Sequence, residues 1–98
     1  MEKYTETPDI IFRIDSEQSK IVMEITMLDV EKDQINLMVN ERGLYLSAPS
    51  ETSEYVAVLT FPSPVIPSKT IARYEDGYLI IEIPLKNPLT DFEKISIG

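Results

Sequence analysis

Apolar residues recur at every second position through most of this chain, the spacing expected of strands that bury one face. Ile10, Phe12 and Ile14 share one side, with Ile11 and Arg13 on the other. After a polar turn at 15–19, Ile21, Met23, Ile25 and Met27 oppose Val22, Glu24 and Thr26, so residues 20–28 read as a half-buried antiparallel strand. Ile35, Leu37 and Val39 alternate with Asn36, Met38 and Asn40. Glu41-Arg42-Gly43 then turns the chain, and Leu44, Leu46 and Ala48 return it as a hairpin. In residues 54–61, Tyr55, Ala57, Leu59 and Phe61 fall on one face.

A further hairpin is written most sharply. Asp76-Gly77 stands between two apolar runs, and a two-residue turn that follows the strand twist needs positive φ at both positions, which Gly accepts freely and Asp tolerates. Beyond it Leu79, Ile81 and Ile83 face one way and Tyr78, Ile80 and Glu82 the other, until Pro84 removes a ladder donor.

Between these runs, residues 29–34 suit one helical turn with Asp29 as its cap, too short to stand alone. Pro64 and Pro67 predict an extended stretch at 63–68. Residues 1–8 are polar and read as a loose arm. Six to eight short strands without a long helix imply an all-β fold, an antiparallel, immunoglobulin-like β-sandwich.

Composition narrows function. Ninety-eight residues make one domain, and a net charge of -8 disfavours nucleic acid or an anionic membrane as a partner. The chain has neither His nor Cys, which removes the usual general base, the thiolate nucleophile and the commonest metal ligands. Gly43, Gly77 and Gly98 are too far apart to cradle a phosphate. The abundant carboxylates fall in turns and on polar faces, where solvated charge is the ordinary reading. The expectation is a chain that is not an enzyme and needs no cofactor or metal. With no apolar run of about 20 residues and no leader-like start, it is expected to stay in the cytoplasm. Met23 and Met27 fit the core face, and exposure of Tyr45, Tyr74 or Tyr78 needs no role.

The hairpin resembles that of the small heat-shock protein, or α-crystallin, family, whose domain ends in A-x-x-x-N-G-V-L followed by a strand and a Pro. Here Ala72, Gly77 and Leu79 match, with Asp76 in place of Asn and Tyr78 in place of Val. The family's L-P-G-V-x-x-E-D-I is met by residues 27–35 in length, in Val30 and in Ile35, with Leu28-Asp29 replacing Pro-Gly. Phe61-Pro62 matches the L-P that closes a family strand. The resemblance implies an α-crystallin-like domain over residues 9–84, an arm at 1–8 and an extension at 85–98.

In that extension Ile95-Ser96-Ile97 presents two branched apolar side chains on one side of an extended chain. The family carries such an I-x-I motif here, and it docks between two strands of a neighbouring subunit. Carried over, the groove walls are Leu37, Val39, Pro67 and Ile71. Each Ile would contribute roughly 1.5–3 kcal/mol on burial before ordering costs. The implied function is an ATP-independent holdase that binds partly unfolded client proteins, self-associates and serves a stress response. Three departures bear on assembly. The loop at 49–53 is too short to carry a swapped strand, the Arg often found before L-P falls at Ala57, and the arm is short. The compact loop also resembles the CS domains of co-chaperones, which act as monomeric adaptors and generally lack a terminal I-x-I. That adaptor is the alternative reading.

Overall fold

The computed structural model describes residues 4–98, apart from the Asp91 side chain. The strands divide between two layers. One sheet joins β1 (Tyr4–Glu6), β4 (Asn36–Val39), β5 (Gly43–Pro49) and β6 (Ser53–Thr60) in the order β1-β6-β5-β4. The other joins β2 (Asp9–Asp15), β3 (Lys20–Thr26), β7 (Ile71–Glu75) and β8 (Tyr78–Pro84) in the order β2-β3-β8-β7. Every pair is antiparallel except β1 with β6. The β-sandwich that the periodicity predicts is therefore present.

The alternation decides the core. Ile21, Met23, Ile25 and Met27 are fully buried, facing Leu44, Leu46 and Ala48 across the layers, with Leu79, Ile81 and Ile83 beside them. Burying side chains of this size contributes about 1.5–3 kcal/mol each, set against the entropy of ordering the strands. At the β7–β8 turn Asp76 and Gly77 have φ of 52° and 86°, the doubly left-handed turn that the residues predict. A Cβ on Gly77 would stand 2.7 Å from Leu28 Cδ2, so the turn is also packed too closely for a side chain.

The chain passes between the layers three times, briefly from β1 to β2 and by two longer crossovers, the first from β3 to β4 and the second from β6 to β7. In the first, the Met27 N–H donates to the Gly77 carbonyl (2.8 Å) and Asp29 adopts a φ of 59°. Asp29 is therefore not a helix cap. It supplies the left-handed bend, which Asp reaches more cheaply than most residues. The single 3₁₀ turn that follows, Lys32–Gln34, is preceded by Glu31 and has no side-chain cap. In the second crossover the Val65 N–H bonds the Glu41 carbonyl (3.0 Å) and the Ile66 N–H bonds the Pro84 carbonyl (2.9 Å), tying both sheets together at one end. The extended form expected there stops at Ile66. Pro67 opens the 3₁₀ turn Pro67–Lys69, since its fixed φ suits the first helical position.

The expected loose arm also differs. Residues 1–3 lie outside the described residues, but Tyr4–Glu6 pairs in parallel with β6, and the Ser53 hydroxyl donates to the Glu6 carboxylate (3.1 Å). Pro8 is buried where the chain passes from one layer to the other. Among the described residues no helix is long and apolar enough to cross a membrane.

Candidate functional site: two open seams of the sandwich

Each sheet ends in strands paired on one side only, and where two such strands lie over one another the sandwich stays open. Among the described residues β4 is paired only with β5, and β7 only with β8. Between them runs a cleft of about 190 Å³ lined by Lys32, Ile35, Leu37, Ala72, Arg73, Tyr74 and Leu79. The hairpin register sets its walls. Tyr74 lies opposite Leu79 and Ala72 opposite Ile81, so these two turn inward. Across the cleft, β4 turns Leu37 inward opposite Leu46.

Tyr74 is the fixed point of this seam. Its hydroxyl donates to the Met27 carbonyl (2.6 Å), fastening β7 to the first crossover. Burial, then the nearby Tyr55 and Asp29, raise the phenol above its ordinary value, so it stays protonated and keeps donating at any physiological pH. Among the described residues Lys32 and Arg73 are the two charged groups that line this cleft, set at its rim.

Of the groove residues expected from the sequence, Leu37 lines this cleft. Val39 continues the same inward row, half-buried opposite Leu44, but lines a separate hollow. Pro67 sits in its 3₁₀ turn and does not line the cleft. Ile71 pairs with Glu82 on the outward face of β7 and is 62% exposed, so Ala72 and Tyr74 take the place assigned to it. Ile95 and Ile97 are 72% and 96% exposed, in an irregular tail beyond the 3₁₀ turn Leu89–Asp91. The tail does not enter its own chain's cleft.

The second seam is one the sequence reading missed. Among the described residues β2 is paired only with β3, and β1 covers β6 at Ser53, Glu54 and Tyr55. The rest of β6 and the inward side of β2 enclose a cleft of about 540 Å³ lined by Ile10, Phe12, Leu59, Thr60, Phe61 and Pro62. Phe12 and Ile14, expected on the core face, point inward yet remain 43% and 44% exposed, because β2 is an edge strand and the cleft between it and β6 is open. No charged group lines this cleft.

A sandwich of two four-stranded sheets, open at both seams and closed at the turn by Asp76-Gly77, can be compared with solved structures. Heat shock protein 16.0 from Schizosaccharomyces pombe superposes with a TM-score of 0.74 at 14% identity, covering 95% of this chain and 99% of that one. The fold is the α-crystallin sandwich of the small heat-shock proteins. A deletion mutant of hsp14.1 from Sulfolobus solfatataricus P2 gives 0.71 at 22% identity over 84% of this chain and 78% of that one. A small heat-shock protein from Xylella fastidiosa gives 0.71 at 15% identity over 95% and 97%. No family model matches the chain, and no curated protein matches it in sequence. The likeness is thus one of backbone course, and within the α-crystallin sandwich the motif residues occupy the β7–β8 hairpin: Ala72 on β7, Asp76 and Gly77 in the turn, Leu79 on β8.

Proposed function

We propose that this domain is an ATP-independent holdase that captures partly unfolded chains and keeps them from aggregating. The observation that carries the proposal is the pair of unpaired strand edges flanking apolar clefts. A segment of an unfolded chain laid along β4 or β7 can bond their free N–H and C=O groups while its alternate side chains enter the cleft against Leu37, Ala72 and Tyr74. Burial and strand addition supply the affinity, so no nucleotide is needed. The Ile95-Ser96-Ile97 segment has the same alternation, and in a second copy it would compete for the same cleft. One such tail binds weakly and several together bind firmly through effective concentration.

A second reading, a monomeric adaptor of the CS-domain kind, draws on the turn between β5 and β6. The Ser50 N–H and hydroxyl both donate to the Ser53 carbonyl (2.8 and 3.0 Å), a closed turn with no room for an exchanged strand.

Light scattering of a heated client protein tests the holdase. We expect the domain to suppress scattering equally with and without ATP, and Leu37→Lys to lose at least half of that protection. No protection at any ratio of domain to client refutes the proposal. Native mass spectrometry separates the readings. An oligomer at dilute concentration that shrinks when Ile95 and Ile97 become Ala favours the holdase, and a monomer indifferent to those changes favours the adaptor.

A further inference from the structure

The outward faces of the two sheets carry very different charge. On the β2-β3-β8-β7 sheet the register turns Arg13, Lys20, Glu24, Glu82, Arg73 and Glu75 outward, with charge on all four strands. Lys20 and Glu82 form an ion pair there, and the lysine holds the glutamate carboxyl below its usual value. The outward face of the other sheet has no such array. Its cross-strand rows are Asn36, Ser47 and Val56, then Met38, Tyr45 and Val58. Among the described residues, Glu54 at the margin is the one charge its strands turn outward.

That face is apolar and shaped. Met38, Tyr45 and Val58 form one unbroken row across three strands and are 53%, 37% and 72% exposed. Beside the row Gly43 pairs with Thr60 and has no side chain, because a Cβ there would lie 2.4 Å from the Leu59 carbonyl oxygen. The result is a hollow of about 330 Å³ bordered by Met38, Tyr45 and Val58.

We infer that this neutral face is the contact by which two copies of the chain associate face to face. The charge distribution selects the partner. Two chains of net charge -8 repel wherever their charged surfaces meet, and this is the face on which they can approach without stacking like charges. A basic or acidic partner would find nothing to pair with here. The exposed Val58 and the hollow over Gly43 lie on the same face, so a two-fold axis can set each valine against the other copy's hollow.

Three strands of five or so residues present roughly 300 Å², well below the roughly 800 Å² per partner of a stable complex. The dimer is therefore weak and concentration-dependent. It uses neither seam, so it is independent of the holdase reading and leaves both clefts open to clients.

Sedimentation equilibrium of the full chain over about a hundredfold range of concentration tests this, in the background Ile95→Ala/Ile97→Ala so that tails take no part. We expect a monomer–dimer equilibrium that tightens as salt screens the net repulsion. Val58→Lys and, separately, Met38→Lys should each weaken it at least tenfold, with circular dichroism confirming that both fold. Ile11→Lys, on the outward face of the other sheet, should leave it unchanged. A monomer at every concentration overturns the inference, as does association that survives Val58→Lys, falls equally with Ile11→Lys, or weakens with salt.

Discussion

The two seams differ in what closes them. The β4/β7 seam is narrow, rimmed by Lys32 and Arg73, and fastened from inside by the bond from Tyr74 to Met27. The β2/β6 seam is wider, lined by uncharged groups, and held by packing around Phe61, which is 6% exposed. A polar clasp fixes geometry at little cost in exposed apolar surface, whereas a packed wall leaves apolar surface wherever its cover runs short. The first seam is a fixed slot with two cations at its rim, and the second is a stretch of unshielded apolar surface.

Four substitutions put that contrast at risk. The largest effect belongs to the packed wall: Phe61→Ala should cost about 3–5 kcal/mol, whereas Leu37→Ala, half-buried at the other seam, should cost about 1–2 kcal/mol. Urea denaturation measures both, and equal losses would mean that the seams are held alike. Next comes the clasp. Tyr74→Phe removes one hydrogen bond, worth about 0.5–1.5 kcal/mol, and should also change the alkaline limb of stability. The folded phenol is raised above the unfolded value of 10.0, so its contribution is complete below pH 10 and is lost as pH rises through the higher folded value. The wild type should therefore lose stability above about pH 10 more steeply than Tyr74→Phe, as thermal melts across that range would show. The smallest effect is at the uncovered end of the wide seam. Phe12→Ser should cost less than about 1 kcal/mol yet visibly lower the binding of an apolar fluorescent dye. An unchanged dye signal would show that this cleft is not the main apolar surface.

What could be read from the sequence was what local chemistry dictates. Asp76-Gly77 determines its turn whatever surrounds it, and the two-residue period places Ile21, Met23, Ile25 and Met27 inward without reference to other strands. Periodicity says which side chains share a face but not whether anything covers that face, so the exposure of Phe12 and Ile14 was hidden. β1 was hidden for a related reason: Tyr4-Thr5-Glu6 has no apolar alternation, and its pairing depends on residues nearly fifty positions away. Ile71 is a different case, because a signal was present. Counting back from the turn pairs Tyr74 with Leu79 and Ala72 with Ile81, which puts Ile71 outward. Asp29 shows the converse, a residue equally suited to capping a helix and to a left-handed bend, where only the path of the crossover decides.

The short parallel strand that shields the start of β6 also sets how much of that sheet border stays open. Among the described residues it pairs with three of the eight residues of β6, so the backbone of the remaining five keeps one side unpaired on that border, where edge pairing would otherwise be satisfied within the chain.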